Sequence, residues 1–156
     1  ATRSAALGEA DLVDLVRSVT ADYVPQAADA GIDLGFEGEG EVRVVVEPIL
    51  IGELVKNLVS NAILYAGSGS EVTVHVRRER TQAVLEVEDN GPGIPAEKRA
   101  TVLRRFERAG SGATPGSGLG LPIVDEIARL HGAGLELADG AGGRGLVVRI
   151  RFSLAQ

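Results

Sequence analysis

The chain has 156 residues, 44% hydrophobic and 24% charged, with a formal net charge of -6 and no cysteine. That length and apolar share support one domain with a hydrophobic core and exclude a disordered tail. The acidic balance and scattered arginines speak against nucleic acid as a partner, and the missing cysteine excludes disulfides, thiolate metal sites and cysteine nucleophiles, in keeping with a reducing compartment.

The start Ala1-Thr-Arg-Ser has no signal-peptide core, and no apolar run is read as nearing the roughly 20 residues that span a bilayer, so no membrane contact is expected. Leu12, Leu15, Val16, Val19 and Tyr23 recur at helical spacing, with Pro25 expected to kink that helix and Gly31 suited to the residue after its end. Residues 32–36 and 42–46 read as two short strands joined by an acidic, glycine-rich turn from Glu37 to Gly40. A second helix is predicted over 48–66. Val72, Val74 and Val76 alternate with Thr73, His75 and Arg77 as a half-buried strand, and Ala83, Leu85 and Val87 make another that pairs with it as a hairpin. A short helix is expected over 96–106, then a lid-like loop from Ala109 to Gly116. Leu121, Val124, Ile127, Ala128 and Leu130 mark a helix from about 118 to 131 that ends at His131-Gly132. Strands near 134–138 and 145–153 finish the chain. Without regular βαβ alternation, this order predicts an α+β fold. It is a two-layer sandwich, a mixed sheet of five or more strands with about three helices on one face, formed as a single domain over 1–156.

Four stretches carry chemistry. On the second helix Leu54, Leu58, Ala62 and Tyr65 are read as pointing one way, while Glu53, Asn57 and Asn61, each four residues apart, form a polar stripe along the edge. A side-chain amide oxygen is a hard ligand suited to Mg²⁺; from this helix alone the pair also reads as surface asparagines. Asp89 ends a strand, and Asn90-Gly91-Pro92-Gly93 turns sharply with little bulk, so a flat ligand can approach the backbone. An ionised carboxylate only accepts hydrogen bonds, which selects the exocyclic amine of adenine over the carbonyl of guanine. The same residues also read as an ordinary strand-to-helix loop. Gly116, Gly118 and Gly120 leave N–H groups open where a helix begins, a favourable place for phosphate, although such loops are often merely flexible. The spacing is not Gly-x-Gly-x-x-Gly and no Gly-Lys pair occurs, which excludes a P-loop. Arg104, Arg105 and Arg108 flank Phe106, and guanidinium groups grip phosphate with two prongs; a solvated basic helix end is the plain alternative.

Asn57-Leu-Val-Ser-Asn61-Ala62, Asp89-Asn-Gly-Pro-Gly93, Arg105-Phe-Glu-Arg108 and Gly116-Ser-Gly-Leu-Gly-Leu121 follow the order of N, G1, F and G2 boxes. Nearly the whole chain resembles the catalytic and ATP-binding domain of bacterial sensor histidine kinases, which has the Bergerat ATP-binding fold. The resemblance implies a site for ATP and Mg²⁺ in which Asn61 holds the metal and Asn57, one turn away, acts in catalysis with Arg108. Asp89 would read adenine beside Gly91, Gly93 and Ile94, Tyr65 would line the pocket, and Arg108 would contact the γ-phosphate. Gly116, Ser117, Gly118, Leu119, Gly120 and Leu121 would complete the nucleotide site.

The resemblance further implies γ-phosphoryl transfer to a histidine on a separate dimeric helical hairpin and a cognate response regulator. The domain would be cytoplasmic in a parent anchored in the inner membrane. Hydrolysing relatives such as gyrase-type topoisomerases carry a general-base Glu where Asn57 stands. An amide cannot take a proton from water, so slow intrinsic hydrolysis is expected. Neither histidine is expected to be the acceptor: His75 lies outward on its strand, and His131 precedes a helix-ending glycine where a cation complements the dipole. Leu64 stands where relatives carry Lys or Arg, so unless lid arginines compensate, nucleotide affinity is expected to fall about 10-fold to 100-fold. The alternatives are an anti-sigma-factor-type serine kinase of the same superfamily and a non-catalytic nucleotide-binding or docking module.

Overall fold

The computed structural model describes residues 7–91 and 121–155. Asp11 closes strand β1 (Gly8–Asp11) and caps helix α1 (Leu12–Asp29), its Oδ1 accepting N–H groups from Val13 at 3.1 Å and Val42 at 3.0 Å. The helix continues through Pro25 to Asp29, and Gly31 just beyond takes a φ of 76°, the conformation its position called for. Strand β2 (Asp33–Glu37) and strand β3 (Arg43–Val46) form at the expected places but do not pair with each other. Instead β3 pairs antiparallel with β1 in a two-stranded sheet, which buries Val44 and Val46.

Helix α2 (Pro48–Ala66) opens with a carboxylate cap: Glu47 accepts the Leu50 N–H at 2.7 Å, and Pro48 occupies the first turn, where its missing N–H removes no bond. With 19 residues and a hydropathy of 1.3, this helix is long and apolar enough to cross a membrane, contrary to the reading from sequence. Here Ile51, Leu54, Val55, Leu58 and Val59 pack into the core, and burying each such side chain is worth about 1.5 to 3 kcal/mol.

The main sheet has the order β2-β4-β5-β7-β6, made with strands β4 (Glu71–Glu79), β5 (Gln82–Asp89), β6 (Leu135–Asp139) and β7 (Leu146–Ser153). β2 runs parallel to β4 and every other pair is antiparallel, so the sheet is mixed, as predicted. Alternation sends Val72, Val74 and Val76, then Ala83, Leu85 and Val87, then Val148, Ile150 and Phe152 to one face, where they share a core with α1 and α2. Helix α3 (Leu121–Leu130) completes a layer of three helices among the described residues, packing on α2 and β6. His131 fastens this layer. Its Nε2 accepts the Glu47 N–H at 3.1 Å while its Nδ1 lies 2.8 Å from Ile127 O, so the ring acts as a neutral bridge from the end of α3 to the start of α2. The expected cationic complement to the helix dipole is corrected on that ground. The short helix expected over 96–106 lies outside the described residues.

Candidate functional site

Asp89 is the last residue of β5, and alternation with Val87 and Leu85 sends it to the helix-covered side of the sheet. Its Oδ1 accepts the Gly91 N–H at 2.9 Å, closing a tight turn. The backbone N–H of Leu146, its partner on β7, also favours the ionised carboxylate. Burial raises the Asp89 carboxyl above its ordinary 3.8; the Gly91 and Leu146 N–H groups oppose that rise and the neighbouring Glu88 charge adds to it. A carboxylate has about four acceptor positions, so these N–H groups leave capacity for a ligand N–H.

Glycine is required around this carboxylate. A Cβ on Gly91 would lie 2.3 Å from Ala66 O, and one on Gly145 would lie 1.8 Å from Asp89 O. The first contact presses the turn after Asp89 against the last turn of α2, the helix that carries the asparagines. Asn61 lies five residues before Ala66, about 7.5 Å along the axis. The structure thus brings the α2 stripe and the Asp89 turn to one region. Gly145 and Leu146 were not singled out from the sequence, although Gly143-Arg144-Gly145 ahead of a strand was a readable signal of positive φ, and Gly145 has 78°.

On α2, Leu54, Leu58 and Ala62 are buried as read, but Tyr65 is 47% exposed. Tyr65 follows Asn61 by four residues, so it continues the Asn57–Asn61 stripe and not the apolar face. Asn57 Nδ2 donates to Glu53 O at 2.7 Å, bonding back onto its own helix. Asn61 Oδ1 is buried and has no hydrogen-bond partner among the described residues. An orphaned buried acceptor costs about 1 to 3 kcal/mol unless something fills it. A hard oxygen donor of this kind fits Mg²⁺, and no group of three His, Cys, Asp or Glu residues offers a metal site among the described residues. Leu64 is exposed and lines a cleft of about 540 Å³ with Gln26 of α1 and Ala30, the residue that caps it. Gly93, Ile94, Arg104, Arg105, Phe106, Arg108, Gly116, Ser117, Gly118, Leu119 and Gly120 lie outside the described residues, and of Leu121 only its place in α3 is described.

Residues 46–156 match the family of histidine kinase-, DNA gyrase B-, and HSP90-like ATPases. The chain belongs to this ATPase family. Within the family it is similar to the sensor protein kinase PmrB of Pseudomonas aeruginosa, 37% identical over 141 residues that cover 90% of this chain and 29% of that protein. It is also similar to the sensor protein QseC of Escherichia coli K12, 36% identical over 134 residues covering 85% of this chain and 29% of that protein. The catalytic domain of histidine kinase ThkA, solved nucleotide-free, superposes with a TM-score of 0.80 at 27% identity, covering 94% of this chain and 95% of that one. The family match, these relatives and this fold make the chain an ATP-binding catalytic domain of the sensor histidine kinase kind. It spans under a third of the length of the curated relatives, 29% of each.

Proposed function

We propose that this domain holds ATP with Mg²⁺ and presents the γ-phosphoryl group to a histidine on a separate dimerisation hairpin of its parent sensor kinase. That kinase would in turn serve a response regulator. The observation that carries the reading is the pairing of two unlike groups on one side of the fold: the buried Asn61 Oδ1, without a hydrogen-bond partner among the described residues, and the helix-facing Asp89 carboxylate. Asp89 accepts the adenine amine, which a guanine carbonyl cannot supply. Asn61 offers its amide oxygen to Mg²⁺, which when bound neutralises phosphate charge. Asn57, an amide, cannot deprotonate water, so the reading favours transfer over hydrolysis. The acceptor imidazole would form a nitrogen–phosphorus bond as the bridging oxygen leaves with ADP, a reaction governed by positioning. Arg108, with Gly116, Ser117, Gly118, Leu119, Gly120 and Leu121, is proposed for the phosphates, and Gly93 and Ile94 for the base, on the family resemblance. The same resemblance supports a cytoplasmic domain in a membrane-anchored parent.

The test adds the purified chain and ATP-Mg²⁺ to the isolated histidine-bearing hairpin of the parent. Acid-labile phosphate on the hairpin is the expected result. Acid-stable phosphate would point to a serine kinase, and nucleotide binding without transfer to a docking module. Asp89→Ala should abolish ATP binding, and unchanged binding refutes the adenine assignment.

A further inference from the structure

Glu88 precedes Asp89 on β5, so its side chain lies on the opposite face of the sheet, away from the helices and from any nucleotide held there. Its Oε2 accepts the Ala141 N–H at 3.0 Å, and its Oε1 lies 3.7 Å from His75 Nε2. Ala141 opens the 3-10 turn Ala141–Gly143 between β6 and β7. That turn closes on itself through Gly140 N–H to Gly145 O at 3.3 Å, and Gly145 lies against Asp89 O, where a Cβ would come within 1.8 Å. The next residue, Leu146, is the β7 partner of Asp89, and its N–H favours the ionised carboxylate. On its other side the turn faces a cleft of about 690 Å³, lined also by Ser70, Asn90, Gly91 and Arg144, so among the described residues no packing from that side holds it.

We infer that Glu88 is a positioning residue for adenine recognition: by pinning Ala141 it fixes the turn whose Gly145 and Leu146 place the Asp89 carboxylate. The inference rests on the reading of Asp89 proposed above. Glu88 touches no nucleotide; its charge also raises the Asp89 carboxyl, an effect that Glu88→Ala and Glu88→Gln remove alike, whereas the hold on the turn is lost only in Glu88→Ala.

The test titrates ATP and GTP into the chain. Glu88→Ala should weaken ATP about 10-fold while GTP changes by less than about twofold, because only adenine uses Asp89. Glu88→Gln should retain the ATP preference, since its amide oxygen still accepts the Ala141 N–H. Ala141→Pro deletes that N–H from the other side. Ala141 is exposed and Gly140 before it is extended at ψ -179°, a conformation that proline tolerates in its neighbour. It should reproduce the Glu88→Ala loss, and the double variant should lose no more. An unchanged ATP-to-GTP ratio, equal losses for both nucleotides, or additive losses in the double variant would overturn the inference. Asp89→Ala in the same titration separates the two ideas. If it leaves ATP binding intact, the adenine reading itself fails. If it abolishes the preference while Glu88→Ala and Ala141→Pro do not, only the role of Glu88 fails.

Discussion

Arg77 forks onto Glu86 across β4 and β5, with Nη1 2.7 Å from Oε1 and Nη2 3.1 Å from Oε2. Arg149 on β7 bonds the same carboxylate through its Nε, and the pairs continue through Glu136, Arg151 and Glu79 back to Arg77. Three carboxylates and three guanidinium groups thus form a closed, neutral ring on the sheet face turned away from the helices. The two-residue period that sends valines to the core sends these charges outward together.

Acid should break this ring. Burial alone would raise the Glu86 carboxyl, which is only 7% exposed, but the hydrogen bonds and charges of Arg77 and Arg149 outweigh it and lower it from 4.5 to about 2. A carboxyl lowered on folding adds stability above its unfolded value near 4.5, and that stability is lost as pH falls toward 2. With allowance for solvent screening the contribution is on the order of 2 kcal/mol. Glu86→Gln should therefore lower Tm at neutral pH and flatten the fall in Tm between about pH 5 and pH 3 in thermal melts. A variant as acid-sensitive as the parent chain would show that other groups carry the effect.

Asn61 should trade stability for ligand. Its buried Oδ1 has no partner among the described residues, whereas Leu has nearly the same shape and no acceptor to strand. Asn61→Leu is expected to stabilise the metal-free chain by about 1 kcal/mol while removing the gain in ATP affinity that Mg²⁺ brings. Denaturant unfolding and ATP titration with and without Mg²⁺ read the two effects separately. A stabilised variant that keeps its Mg²⁺ dependence would exclude ligation by Asn61.

Periodicity made β4, β5 and α2 readable, because Val72, Val74 and Val76 and the Leu54, Leu58, Ala62 row repeat cleanly. β1 was missed. Gly8-Glu9-Ala10-Asp11 has no alternation, and its strand exists because Val44 and Val46 on β3 need a partner far along the chain. For the same reason residues 32–46 showed two strands without showing that they belong to different sheets. In the site, residue types pointed to Asp89 and Asn61 and the family resemblance gave them roles. Their proximity depends on Gly91 meeting Ala66 O, a tertiary contact that no local pattern encodes. Glu88 was not singled out from the sequence, because its bond to the Ala141 N–H spans 53 residues and leaves no local pattern.

Gly145 and Gly40 give a matched pair for separating strain from collision. Both have positive φ, 78° and 69°, so alanine at either forces a side chain into the left-handed region, a cost of about 1 kcal/mol. A Cβ on Gly40 meets nothing within 4 Å, whereas one on Gly145 would lie 1.8 Å from Asp89 O. Gly40→Ala should thus lose about 1 kcal/mol and bind ATP normally. Gly145→Ala should lose at least about 2 kcal/mol and ATP binding with it. Denaturant midpoints and nucleotide titrations decide this, and equal losses at the two sites would mean that the close approach at Gly145 relaxes freely.

Asp89 titrates with the opposite sign to Glu86. Burial raises its carboxyl above 3.8 despite the N–H groups of Gly91 and Leu146, so it protonates at a pH where exposed carboxylates remain ionised. A raised carboxyl contributes stability below its unfolded value that disappears as pH climbs through the folded value, so the ionised form at neutral pH weakens the fold. Asp89→Asn keeps an oxygen for the Gly91 N–H and has no charge to desolvate. It is expected to melt higher than the parent chain at neutral pH and to lose the ATP preference, since adenine then meets an amide in place of an ionised acceptor. ATP affinity of the parent chain should weaken as pH falls through the raised Asp89 value, ahead of the acid unfolding tied to Glu86. Titrations from neutral to mildly acid pH, run beside melts of both chains, test this. An ATP affinity that stays flat until the protein unfolds would mean that the ionised Asp89 carboxylate is not what the base contacts.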